Sequence, residues 1–191
     1  MKARESGMPE EAYWQTFFDA AAALDPLMPL VDPTGDIVEF GCGYGTFTLP
    51  AARRATGRLT ALDIEPEMVA TVVTKAAAAG LRNVQAIQRD FVLEGTGLAA
   101  GTQSYALVFN LLHLEEPVAL LREAHRVLRP GGQIAVMHWR SDIPTPRGPS
   151  LAIRPTAEQC SAWLLDAGFI GVQPVDLADS CPYHYGLTAW R

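Results

Sequence analysis

Glu39, Gly41, Gly43, Gly45 and Asp63 are the residues whose types and spacing most readily suggest chemistry in this chain. The apolar run 37–40 leads into Gly41-Cys42-Gly43-Tyr44-Gly45, and a second run, 58–62, ends on Asp63. Glycine at every second position leaves bare backbone facing a ligand where any Cβ would block the approach. It also accepts the positive φ that a sharp strand-to-helix turn can demand. A carboxylate at the tip of the neighbouring parallel strand lies beside such a turn and accepts hydrogen bonds from a ribose diol. The spacing therefore predicts a site for an adenosine-containing molecule.

A regular frame must hold these residues. Strands are predicted at 37–40, 58–63, 83–88, 105–110 and 133–138, each short and apolar or β-branched as buried parallel strands are, with further strands at 170–175 and 186–190. Between them the helical patterns 46–55, 65–80 and 117–128 alternate with the strands. Thr156, with Gln159 three places on, predicts a capping box that opens a helix ended by Gly168. Pro9 opens an N-terminal helix in which Trp14, Phe17, Phe18, Ala21 and Leu24 recur at helical spacing until Asp25-Pro26 stops it. Pro130-Gly131-Gly132 is predicted to be a turn feeding a strand. This alternation predicts an α/β fold, a doubly wound and mostly parallel seven-stranded sheet with helices on both faces, in one domain spanning 1–191. Residues 1–30 would form a helical cap. Residues 139–155, with four prolines and with Arg140, Arg147 and Arg154, would form a lid loop.

Composition narrows the function classes. At 191 residues the chain fits one core, large enough to bury roughly 70% of the surface its unfolded form exposes. A net charge of −6 argues against a dedicated grip on nucleic acid, which needs clustered cations to displace counterions. Cys42, Cys160 and Cys181 are odd in number and far apart, which suits a reducing cytosol better than a disulfide framework or a zinc site. Charges at Lys2, Arg4, Glu5, Glu10 and Glu11 argue against a signal peptide, and no run approaches the roughly 20 apolar residues of a membrane span. No His and carboxylate cluster has the spacing of a metal site.

Taken in order, Glu39-Phe40-Gly41-Cys42-Gly43-Tyr44-Gly45, Asp63, Asp90-Phe91, Asn110-Leu111-Leu112-His113 and the run from Arg129 to Val136 resemble the motifs of class I S-adenosylmethionine-dependent methyltransferases. The resemblance covers about residues 37–138 and is nearest to the small-molecule branch that includes ubiquinone-biosynthesis-like enzymes. It implies S-adenosyl-L-methionine as cofactor and a small-molecule acceptor; the charge balance, the lack of a long apolar run and the cysteine usage predict neither nucleic acid nor membrane as partner, in the cytoplasm. It implies that Glu39 and the backbone of Gly41, Gly43 and Gly45 lie against the methionine portion, Glu39 drawn to its ammonium. Asp63 would hold the ribose hydroxyls and Ile64 would pack on the adenine. Asp90 would accept from the adenine amino group beside an apolar edge from Phe91, and Asn110 would meet the methionine end.

Other residues have two readings each. His113, just past a strand at the active edge, is the candidate catalytic residue for handling the acceptor, and otherwise a packed histidine. His138 ends a strand at the same edge. Tyr13 and Trp14 face the core unless the N-terminal helix closes over the cofactor. Arg140, Arg147 and Arg154 suit an anionic acceptor and equally a solvated loop. With Tyr13, His138, Arg140 and Arg147 as candidate acceptor walls, Cys42 reads as a small space filler.

Rival functions fit less of the pattern. An NAD-type oxidoreductase would need its third glycine where Thr46 stands, and Glu39 would set a negative charge near a pyrophosphate. A non-catalytic cofactor-binding protein would keep the glycine turn without aligning an acceptor. A nucleic-acid methyltransferase would carry Asn-Pro-Pro-aromatic or Asp-Pro-Pro-aromatic where Asn110-Leu111-Leu112-His113 stands.

Overall fold

The computed structural model describes residues 8–29 and 35–191; Lys2, Arg4 and Glu5, and part of the expected cap, lie outside the described residues. Seven strands, β1 (Asp36–Phe40), β2 (Leu59–Asp63), β3 (Val84–Gln88), β4 (Gln103–Phe109), β5 (Leu128–Trp139), β6 (Ile170–Val175) and β7 (His184–Trp190), form one sheet. Their order is β3-β2-β1-β4-β5-β7-β6. The first five strands pair in parallel, and β7 runs antiparallel to both β5 and β6. The sheet is thus the doubly wound, mostly parallel one that the alternation of elements predicts. Chain order reverses between β1 and β4, and at such a switch point the loops leaving two adjacent strands diverge and open a crevice.

Burial on both faces explains the near-continuous apolar strands. Every residue of β2 and of β4 is buried. Alternate β1 residues serve opposite layers: Ile37 packs with Leu24, Leu27, Ala51 and Val72, whereas Val38 and Phe40 pack with Leu120, Leu121, Leu164 and Phe169. The first layer is covered by α2 (Ala20–Leu27), α3 (Thr48–Arg54) and α4 (Pro66–Ala78), the second by α6 (Pro117–Val127) and α7 (Ala157–Asp166). Period two places Glu39 on the same side as Ile37, so a carboxylate is carried into the apolar layer beneath α3.

Three local expectations need correction. The N-terminal pattern is two helices rather than one: α1 (Glu11–Gln15) ends where the Thr16 hydroxyl donates to the Tyr13 carbonyl. The chain then restarts at Asp19, which caps α2 by accepting from the Ala22 amide. Pro26 does not stop that helix but lies inside its last turn. Pro130-Gly131-Gly132 is not a separate turn. Strand β5 begins at Leu128, directly after α6, and passes through these residues because Gly131 takes φ 75° and donates to the Arg191 carbonyl. The lid region also contains a single 3-10 turn at Leu151–Ile153, and a short helix, α5 (Phe91–Glu94), follows β3.

The Thr156–Gln159 capping box is formed in both directions. Thr156→Ala should therefore cost about 1 kcal/mol of folding stability, measured by urea denaturation. A change of only a few tenths would show that tertiary packing alone holds α7 in place.

Candidate functional site

The site begins at the tip of β1. Gly41, Gly43 and Gly45 all take positive φ, at 69°, 49° and 78°. At Gly43 the left-handed backbone, which glycine adopts freely, aims its amide at the adjacent strand, where it donates to Asp63 Oδ2 at 2.8 Å. A Cβ there would also sit 3.2 Å from Met8 Cε, so glycine satisfies both geometry and space. Asp63 Oδ1 accepts the Glu65 amide at 3.0 Å, which leaves the carboxylate held from two sides with acceptor capacity to spare. Burial raises the Asp63 pKa, with the two amides opposing the shift.

Glu39 is 3% exposed and accepts a hydrogen bond from the Thr48 hydroxyl at the start of α3. Burial, with a smaller contribution from the charge on Asp63, pushes its pKa up to about 8, against the Thr48 hydrogen bond. The free protein therefore keeps Glu39 largely protonated at neutral pH, ready to ionise beside a cation. Cys42 is buried beside these two carboxylates, and burial pushes its thiol pKa far upward, so it is a filler and no nucleophile.

Asn110, at the tip of β4, is the one non-glycine with positive φ among the described residues, at 58°. Its amide donates to the Met137 carbonyl at 2.7 Å, pinning the bend to the neighbouring strand. Among the described residues its buried Oδ1 has no partner, and neither does the buried Thr46 hydroxyl. Backbone strain and unpartnered polar atoms lining the same cleft are what a binding site retains at a cost in stability.

These groups line a cleft of about 630 Å³. Glu39, Gly41, Gly43 and Asp63 form its floor; Ile64, Asp90 and Phe91 line the side beyond β2; Asn110 and His113 come from the β4 side. Phe91 packs edge-on to Phe40 at 5.4 Å, and Asp90 caps α5 by accepting the Leu93 amide at 3.1 Å. Gly45 does not reach the wall: it closes the turn toward α4, where its Cβ would meet Val72.

Four acceptor-side expectations are sorted by the structure. Arg147 lines the cleft. Tyr13 does not; it is 47% exposed, and the next residue, Trp14, one step of about 100° around the helix, turns to the wall instead. Arg140 points away, its guanidinium donating twice to Asp142, at 3.0 and 2.6 Å. His138 is fully buried behind His113 and does not itself reach the cleft.

Several other wall residues are placed by ties between distant segments. Met8, Pro9 and Trp14 close one side because Lys75 on α4 bonds both Glu11 and the Tyr44 carbonyl, while the Tyr44 hydroxyl donates to the Pro9 carbonyl at 2.9 Å. This ties α1 across the glycine turn. Trp139, Gly148 and Pro149 close the other side. Arg154 serves neither an anion nor solvent: it is 8% exposed and donates to the carbonyls of Pro149 and Arg140 and to the Thr145 hydroxyl, folding the lid around its own guanidinium. Gly148, at φ 119°, lies so close to that guanidinium and to Trp139 that a Cβ would come within 2.9 Å of both. Nearby, His184 lies between Phe18 and Trp139, at 4.8 and 4.1 Å, and burial drives its pKa down to about 3, so it fills space as a neutral ring.

Residues 37–132, half of the chain, match the methyltransferase domain family. The chain is 28% identical over 101 residues to a ubiquinone biosynthesis O-methyltransferase from Xanthomonas oryzae pv. oryzae, covering 51% of this chain and 40% of that protein. It is 39% identical over 64 residues to a 23S rRNA (uracil-C5) methyltransferase from Methylococcus capsulatus, covering 32% of this chain and 14% of that protein. The chain spans about half or less of the length of the curated relatives it matches. In fold it is similar to a crystal structure of a SAM-dependent methyltransferase from Aquifex aeolicus, with a TM-score of 0.79, 22% identity, and coverage of 95% of this chain and 93% of that one.

Proposed function

The chain belongs to the methyltransferase domain family, and from that premise we propose that it transfers a methyl group from S-adenosyl-L-methionine to a small-molecule acceptor. The observation that carries the reading is the pair of buried carboxylates, Glu39 and Asp63, on adjacent strand tips with the glycine turn between them. The residues fit such a cofactor: bare backbone at Gly41 and Gly43, acceptors for hydroxyls and an ammonium, the unpartnered Asn110 Oδ1, and apolar surface from Ile64 and Phe91. Bound there, S-adenosylmethionine would supply a methyl carbon made electrophilic by its sulfonium.

In this reading Asp63 orients by accepting from the ribose hydroxyls, and Glu39 by pairing with the ammonium. Asp90, already committed in part to capping α5, faces the adenine side. Trp14, Trp139 and the lid residues exclude water from the acceptor half, so that catalysis comes from positioning and desolvation. The acidic balance and the name of the ubiquinone-biosynthesis relative support a small acceptor over nucleic acid. We take 1–191 to act as a single unit with 139–155 as its lid. The three free, buried cysteines suit the cytoplasm, and no helix among the described residues is long and apolar enough to cross a membrane.

Isothermal titration with S-adenosylmethionine, followed by a labelled-methyl screen of small acceptors, tests the reading. Affinity should rise from pH 6 toward 8. The sign follows from Glu39, which is protonated in the free protein below about 8 and must release that proton to pair with an ammonium. Each unit contributes at most about tenfold, and the ligand's own amino group, with a pKa of about 8, turns the profile over above that. Glu39→Gln should flatten the acid limb. Affinity unchanged between pH 6 and 8 in the unsubstituted protein would place the ammonium elsewhere, and tight nicotinamide-dinucleotide binding without S-adenosylmethionine binding would favour the oxidoreductase.

A further inference from the structure

His113 and His138 are joined ring to ring, His113 Nδ1 to His138 Nε2 at 3.2 Å, with the rings crossing at 69°. They come together because β4 and β5 are adjacent and in register at Phe109 and Met137. The turn after Asn110, closed by the Leu114 amide on the Leu111 carbonyl, folds His113 back over the end of β5. One further contact makes this pair directional: His138 Nδ1 lies 3.3 Å from the Trp139 carbonyl oxygen.

A carbonyl only accepts, so His138 Nδ1 carries the ring proton. His138 is fully buried, and burial drives its pKa down to about 3, so the ring is neutral and Nε2 presents a lone pair. The proton in the contact with His113 must then lie on His113 Nδ1. Burial, with the positive charge of Arg154, also lowers the His113 pKa, so that ring is neutral too, and its second nitrogen, Nε2, carries a lone pair. His113 lines the cleft, and with Nδ1 turned to His138 we infer that the Nε2 side of the ring is the one directed to it. The Trp139 carbonyl thus sets the tautomer of His138, and His138 sets that of His113.

We propose that His113 Nε2 is the base that takes a proton from the methyl acceptor, that His138 is the positioning residue that holds it in this tautomer, and that the acceptor is an acidic hydroxyl, a phenol or enol. This rests on the methyltransferase reading above and names the acceptor class for the same site. The hydroxyl proton passes to His113 Nε2, an oxygen lone pair forms the new bond to the methyl carbon, and the carbon–sulfur bond breaks with its electron pair remaining on sulfur. The sulfonium charge is lost, the imidazolium gains one, and His113 returns its proton to solvent. A phenol, with a pKa of about 10 like that of tyrosine, is within reach of an imidazole; an alkanol, nearer to water at about 15.7, is not. The rings of Trp14, Phe47, Phe109 and Trp139 along the cleft suit a flat apolar acceptor.

The test has two parts. Long-range proton–nitrogen NMR on the free protein should show His113 protonated at Nδ1 and bare at Nε2. His138→Phe should abolish that preference, and His138→Gln, which keeps an acceptor oxygen, should restore it. With labelled S-adenosylmethionine, transfer to 2-naphthol should fall 10²- to 10⁴-fold in His113→Gln. In His138→Phe it should fall about 10- to 100-fold, the range for a group that orients another's ring, with cofactor affinity unchanged in both. Quinoline, of similar shape but with no proton on its ring nitrogen, should be a poor acceptor and indifferent to either substitution. His113 found protonated at Nε2, or quinoline methylated as fast as 2-naphthol, would overturn the proposal. Because the tautomer is read on the free protein, that result is separate from a failure to bind S-adenosylmethionine, which would remove the function proposed above.

Discussion

Asp63→Ala should weaken S-adenosylmethionine binding by one to two orders of magnitude, about 1.5 to 3 kcal/mol, the usual range for a hydrogen bond to a charged group. The loss has two origins. On the proposed placement the ribose hydroxyls lose a carboxylate acceptor, and the Gly43 amide, released from Asp63 Oδ2, no longer holds the glycine turn against the strand tip. Asp63→Asn separates them. Its amide retains one oxygen for the Gly43 or Glu65 amide but cannot accept at the other position, so affinity should recover only in part. Calorimetry on the three proteins, with urea denaturation to confirm folding, makes the comparison. Unchanged affinity in Asp63→Ala would show that the ribose lies elsewhere.

Arg154→Ala should cost about 2 to 3 kcal/mol of folding stability and open the acceptor half of the cleft. The guanidinium satisfies the carbonyls of Pro149 and Arg140 and the Thr145 hydroxyl from a nearly buried position, and a truncated side chain leaves those acceptors to find water. Arg154→Lys should not rescue, because one ammonium cannot reproduce the planar fork that reaches opposite sides of the loop. The predicted signature is faster proteolysis within 139–155, weakened acceptor binding and cofactor affinity close to the original, since the floor of the cleft is built from β1 and β2. Stability within a few tenths of a kcal/mol of the parent would mean that the lid is held by its prolines and by Trp139 instead.

The contrast between these two residues reflects what was legible. The place of Asp63 could be read because it is set by one strand end and one turn: apolar run, carboxylate and glycine spacing lie close together in the sequence, and backbone periodicity alone carries them to one edge. The positions of Glu39, Asp90, Phe91 and Asn110 on the cleft were legible in the same way, each within three residues of a strand end. Arg154, which the sequence leaves open to an anionic acceptor or a solvated loop, takes neither role, because its partners lie on a loop whose path depends on Trp139 and Gly148. Tyr13 and Trp14 differ by one helical step, and only the break at Thr16 and the tie of Glu11 to Lys75 decide which of them faces the cleft. His138 looked like a wall residue from its place at a strand end, whereas burial puts it behind His113.

By itself, then, the sequence determined the alternating strands and helices, the glycine turn and the carboxylates at the sheet edge, because these follow from side-chain period and backbone sterics within single elements. Only the tertiary structure decided the contact between His113 and His138, the burial that raises the pKa of Glu39 and the staple at Arg154. Those properties depend on burial and on partners brought together from distant segments, and a desolvated group takes its pKa and its hydrogen bonds from whatever the packed chain sets beside it.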